Sequence, residues 1–107
     1  ACYDLNLVRR YLDVLVDQGL SESLFVIVSN SPQISVQSAL WVKENIWGAE
    51  IPDDIVDRLK GAKDAREEGI KICQEQVEEL LTIPGIAGIN LIERENVESI
   101  EEVLKTL

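Results

Sequence analysis

Apolar side chains recur along the chain at two different periods, and the switching between them predicts the elements. Leu5, Val8, Leu12, Leu15 and Val16 follow a 3.6-residue repeat, so a first helix is expected through about Asp17. Asp4 stands where a carboxylate can accept the first free N–H groups, and Gly19 where helices end. Leu24-Phe25-Val26-Ile27-Val28 breaks the repeat. A five-residue apolar run rich in β-branched and aromatic side chains predicts a strand covered on both faces. Ser29 to Ser35 is polar and carries Pro32, so a loop is expected there. Val36, Ala39, Leu40 and Lys43 resume helical spacing as far as Asn45, with Ser35 as the cap.

Gly48 interrupts the chain, and Ile51-Pro52-Asp53-Asp54 opens a short helix reaching Leu59. Proline suits a first turn, and the early carboxylates suit the positive helix end. A longer helix is expected from about Asp64 to Leu81, with Cys73, Val77, Leu80 and Leu81 along one side. Glu67 and Lys71 lie four apart on its wet face. Pro84-Gly85 turns into a second buried strand, Ile86 to Ile92, and Glu93 to Asn96 makes a loop. Val97 to Leu107 is the final helix, with Ile100, Val103, Leu104 and Leu107 inward. Strands separated by helical crossovers cannot pair as hairpins, so an α/β fold with two parallel strands and about five helices follows. Two strands leave two open edges and too little sheet for five helices. The sheet is therefore expected to be completed by the rest of a larger domain, another subunit or a second copy.

Composition narrows the function. The 107 residues make one domain at most, and 46% hydrophobic with 28% charged residues is a globular balance. Ten Lys/Arg against twenty Asp/Glu give a net charge of −10, which disfavours nucleic acid and anionic membrane as partners. No apolar run approaches the ~20 residues of a spanning helix. No leader-like stretch opens the sequence, so a cytoplasmic location is expected. Cys2 and Cys73 form no metal-spaced pair and are expected to be reduced thiols, a disulfide being the alternative. The absence of histidine removes histidine-based metal sites and Ser-His-Asp or Cys-His nucleophiles within these residues.

A series of short motifs then points to a family. Ser31-Pro32-Gln33-Ile34-Ser35, Ser38-Ala39-Leu40-Trp41-Val42 and Ile51-Pro52-Asp53-Asp54-Ile55-Val56-Asp57-Arg58-Leu59 come first. Glu68-Gly69-Ile70 through Leu81, Ile83-Pro84-Gly85-Ile86-Ala87-Gly88-Ile89-Asn90-Leu91, Glu93-Arg94-Glu95 and Glu102-Val103-Leu104-Lys105 follow in order. Together they resemble the last third of methylenetetrahydrofolate reductase, with Asp4 just beyond that family's Thr-Gln strand end. The resemblance implies the C-terminal portion of a (β/α)8 TIM barrel, a fold of ~250 residues. It implies an FAD-dependent reduction of 5,10-methylenetetrahydrofolate to 5-methyltetrahydrofolate, with a nicotinamide or other electron donor. The family's glutamate acid and most flavin contacts belong to regions outside these residues. This segment alone is therefore expected to be inactive, with no catalytic residue of its own.

In a barrel the loops after the strands form the active-site face, here Ser29 to Gln33 and Glu93 to Asn96. On the resemblance, Asn30, Gln33 and Arg94 would line the folate end. Alternation in the last strand turns Ala87, Ile89 and Leu91 toward the helices and Gly88, Asn90 and Ile92 inward. Asn90 is then either a hydrogen-bond partner for flavin or substrate, or an interior amide satisfied by protein or water. Arg94 either forks onto a folate carboxylate or pterin, or pairs with Glu93, Glu95 or Glu98. The sequence departs from the family at Val36, which replaces an aromatic that packs on folate, and at Gly88 and Asn90, which replace histidine and tyrosine. The parent is then a divergent reductase or a paralogue using another pterin.

Other features have plainer readings beside the functional ones. Asp53, Asp54 and Asp57 either bind a cation or answer the helix dipole. Glu98, Glu101 and Glu102 read as a solvated face. Trp41 is open to core or interface, and Trp47 to a packing lid. Two alternatives stand beside the reductase: another pterin-binding barrel of methyltransferase type, and a non-enzymatic α/β interaction module that completes its sheet with a partner.

Overall fold

A computed structural model describes residues 3–19, 26–46, 50–93 and 97–105. In chain order the elements are α1 (Leu5–Asp17), β1 (Val26–Asn30), α2 (Val36–Asn45), α3 (Asp53–Gly61), α4 (Ala65–Thr82), β2 (Ile86–Leu91) and α5 (Val97–Leu104). The fold is α/β, and its two strands pair in parallel, as their helical crossover requires.

Three helix starts are fixed by the side chains expected to fix them or by their neighbours. Asp4 accepts from the N–H groups of Asn6 and Leu7 at 3.0 and 3.3 Å. Ser35 accepts from Ser38 N–H at 3.0 Å, and Asp64 from Glu67 N–H at 3.2 Å. Each cap satisfies donors that the first helical turn leaves without an internal partner. Gly19 closes α1 in the left-handed region, at φ 70°.

The strand boundaries move from those the sequence predicts. β1 takes in Ser29 and Asn30, polar residues expected in the loop, because they pair with Asn90 and Leu91. Backbone pairing outweighs side-chain polarity here. Leu24 and Phe25, predicted to begin this strand, lie outside the described residues. In β2 the ladder slips between Val26 and Ile27, whose partners are Ile86 and Gly88. Ala87 is thus an extra residue, a β-bulge, and it is exposed rather than turned toward the helices as plain alternation predicts. Beyond it, Ile89 and Leu91 face the helices as expected.

Among the described residues one face of the sheet is covered, whereas the apolar run of β1 predicts cover on both. Val8, Leu12 and Leu15 of α1, with Leu80 of α4, close over Val28. Ile70, Cys73 and Val77 of α4 and Val103 of α5 close over Ile89 and Leu91. Ile27 points the other way and is 64% exposed, because no described element lies over it. A third cluster ties α2 and α3 to α4 through Ala39, Ile55, Val56, Leu59 and Ile72. Val16, Leu81 and Leu104, expected inward, are exposed, since each lies about 100° round its helix from the residue that packs: Leu15, Leu80 and Val103. Leu107 lies outside the described residues.

α4 also meets the loop after β1 more closely than side chains allow. A Cβ at Gly69 would stand 1.7 Å from the backbone oxygen of Gln33. Gly69→Ala would gain ~1 kcal/mol of helix propensity but would have to push the loop away, and overpacking costs ~1–3 kcal/mol. We expect net destabilisation in urea titrations. Gly61→Ala, at an open position, should be neutral or stabilising by the same assay.

Candidate functional site

β1 and β2 run in parallel, so both end at the same side of the sheet, where open α/β folds keep their ligands. A cavity of about 550 Å³ opens there. Its walls come from the loop Ser31 to Ser35, from Gln37, Ser38, Trp41 and Val42 of α2, and from Ile92 and Glu93 after β2. Tyr3 also contributes to the wall.

Gln33 is buried at this wall and its carboxamide is held at both ends. Its Nε2 donates to the Tyr3 phenol oxygen at 3.1 Å and to Ser31 Oγ at 3.4 Å. Its Oε1 accepts from Ser38 Oγ at 3.1 Å. The amide therefore presents one fixed orientation. Burial pushes the Tyr3 phenol above its ordinary pKa, against the opposing effect of hydrogen bonds with Ser31 and Gln33. Tyr3 is a neutral phenol at physiological pH.

Asn30 lies behind the cavity rather than in its wall. Fully buried on the helix side of β1, its Nδ2 donates to Gln76 Oε1 at 3.0 Å, and its Oδ1 accepts from Cys73 Sγ at 3.4 Å. Gln76 Nε2 in turn donates to the Tyr3 backbone oxygen at 3.0 Å. A buried chain of hydrogen bonds thus runs from Cys73 through Asn30 and Gln76 to Tyr3, whose other end meets Gln33. Burial pushes the Cys73 thiol up to about 12, so it is not a nucleophile near neutrality.

The other two sequence candidates lie elsewhere. Asn90 is exposed on the uncovered face of the sheet and donates to Ser29 Oγ across the ladder at 3.4 Å. Arg94 lies outside the described residues, as do Trp47, Cys2, Glu95 and Asn96. Of the four candidates, Gln33 alone is placed in the cavity wall. Tyr3, Ser38, Trp41 and Gln76 were not singled out as site residues by the sequence. Gln76 had a readable signal, because it falls three residues after Cys73 and four before Leu80, on the buried stripe of α4. An amide on an apolar stripe needs a partner.

The charged groups of the helices pair away from this cavity. Arg58 bridges Glu68 at 2.7 Å and Glu75 at 2.9 Å, which raises the guanidinium pKa and lowers that of Glu75. Arg66 meets Glu102 and Arg9 meets Glu79. Partly exposed pairs of this kind contribute ~0–1 kcal/mol each. Asp53 pairs with Lys43, whose hydrogen bond holds the Asp53 carboxyl below its ordinary range. Among the described residues no three potential ligands cluster around a common metal position, and no helix is long and apolar enough to cross a membrane.

With this geometry in place, comparison with protein-family models and with curated proteins finds no match to the chain.

Two outcomes test the buried hydrogen-bond chain. Asn30→Ala leaves the Gln76 carbonyl and the Cys73 thiol without the amide, at a cost of ~1–3 kcal/mol by denaturant unfolding. Because the folded state raises the Cys73 pKa, it binds that proton more tightly than the unfolded chain. This stabilisation is complete below the ordinary thiol value of 9.0 and is lost as pH rises toward about 12. Tyr3 adds to the same alkaline loss. Cys73→Ala should make the decline of stability above pH ~9 shallower in a pH series of urea midpoints.

Proposed function

We propose that this chain forms the two closing strand-and-helix units of a (β/α)8 barrel of the methylenetetrahydrofolate reductase type. The observation that carries the reading is the one-sided parallel sheet whose two strands end at one shared cavity. In such a barrel, helices cover the outer face of the sheet, and the remaining strands enclose its inner face. α1, α4 and α5 occupy the outer side here, and Ile27, Ser29 and Asn90 mark the uncovered side. Leu7, Tyr11 and Val14, exposed at positions i, i+4 and i+7 of α1, supply the apolar flank that a neighbouring helix would pack against. The motif series from Ser31-Pro32 to Glu93-Arg94 supports the same placement.

On this reading the protein reduces 5,10-methylenetetrahydrofolate to 5-methyltetrahydrofolate, and the bound flavin supplies the hydride. The residues described here bind and orient. Gln33, fixed between Ser38, Ser31 and Tyr3, would offer the remaining lone pair of its Oε1 to a ring N–H of the pterin. Asn30 is a positioning residue, holding the end of β1 to α4 so that the loop bearing Gln33 starts from a fixed point. Asn90 would face the barrel interior from the last strand. Arg94 follows the same strand and suits a folate carboxylate. FAD contacts and the proton donor belong to the other strands.

The uncovered face also supports a second reading, an α/β module whose sheet a partner completes without catalysis. A methyltransferase-type barrel would share the pterin site and lack the flavin.

The test uses the protein as its own cells make it. We expect an intact mass of roughly barrel size, bound flavin, and methyltetrahydrofolate-dependent reduction of an artificial electron acceptor. Gln33→Ala should raise the folate KM about tenfold, equivalent to ~1.4 kcal/mol. A protein of this segment's mass without flavin would favour the interaction module. A barrel-sized protein that binds folate but no flavin would favour the methyltransferase type.

A further inference from the structure

Two aromatic side chains line the cavity at the strand ends, the buried Tyr3 and, on α2, the half-exposed Trp41. Val36, which replaces the expected aromatic, packs against the cluster of Tyr3, Ala39 and Ile55 and is not part of the cavity wall. The face that α2 turns to the cavity is instead Gln37, Ser38, Trp41 and Val42. Those positions are one and four residues apart, so they share one side of the helix. Trp41 is 51% exposed, although a tryptophan is usually well covered.

We propose that Trp41 is the stacking platform for the ring of the ligand, and that the ligand is a flat, uncharged nitrogen heterocycle with an amide edge. Three observations fix that class. A half-exposed indole beside a concave surface gains by covering its face, and stacking on a flat ring is the arrangement that does so. The Gln33 Nε2 hydrogens go to Tyr3 and Ser31 and the Ser38 hydroxyl hydrogen goes to Gln33 Oε1, so the polar groups beside it offer acceptors, which match the N–H of an amide edge rather than an anion. Among the described residues of the wall there is no Lys or Arg to hold a phosphate or carboxylate end. The site therefore takes the ring of its ligand, and any anionic tail extends away from α2. Pterin and isoalloxazine rings share this chemistry. Trp41 is thus a specificity residue five positions along the chain from where the motif series places the aromatic.

This inference rests on the barrel reading of the cavity, and the experiment separates the two. The whole protein, stripped of bound small molecules, is titrated with free pterin and, separately, with riboflavin. Trp41→Ala, Trp41→Leu and Trp41→Phe are compared with the parent, with folding checked by circular dichroism. The parent binds at least one probe, and which one it prefers identifies the ring. Trp41→Ala and Trp41→Leu should weaken that probe about 10- to 100-fold, while Trp41→Phe stays within a few fold. Leucine keeps apolar bulk and removes the aromatic face, so equal losses in Leu and Ala assign the effect to stacking. Parent-like binding by Trp41→Leu overturns the role of Trp41 and leaves the barrel reading standing. Binding of neither probe by the parent overturns the reading of the cavity, and this inference with it.

Discussion

One buried amide governs how the strand end, the long helix and the cavity wall meet. Asn30 is the last residue of β1, and its side chain is fully buried. Gln76 and Cys73 on α4 answer both ends of its carboxamide. An unsatisfied buried amide is costly, so the alternatives in which β1 slides along α4 are penalised. Gln76 passes the constraint on to the backbone of Tyr3, and the Tyr3 ring passes it to Gln33. The cavity wall inherits its shape from a polar core rather than from the surface loop that forms it.

The close contact between Gly69 and the Gln33 carbonyl acts on the same loop from the other direction. Hydrogen bonds hold the Gln33 side chain, and the bare helix backbone receives its main chain. A loop fixed at both points would lose little entropy on meeting a ligand. The opposite face of the sheet has no such attachments. Among the described residues nothing packs over Ile27 and Asn90 there, and both are exposed.

Much of the fold was legible in the sequence because periodicity and capping are local signals. Asp4, Ser35 and Asp64 mark the helix starts, and the long helical crossover dictates parallel pairing. The strand limits were less legible. Ser29 and Asn30 read as loop because polarity is visible in a sequence, whereas a ladder partner sixty residues away is not. The site divides along similar lines. Gln33 sits in a turn whose Pro32 and serines are conspicuous, so it could be singled out. The strand-end position of Asn30 marks it as a candidate for the folate end, but residue type cannot reveal to which side a strand-end amide turns. Trp41 and Tyr3 gain their meaning from a concavity that forms only when α2 and the strand ends converge.

The bulge at Ala87 gives the second strand an unequal tolerance to changes in length. Removing Ala87 would leave Ile86 and Gly88 adjacent, opposite Val26 and Ile27, and every later side chain would keep its side of the sheet. Loss of Gly88 would be absorbed in the same way, Ala87 taking its place opposite Ile27, whereas loss of Ile89 would bring Asn90 into the apolar layer and turn Leu91 to the other face. Across related chains, single-residue length differences in this strand should therefore collect at positions 87 and 88.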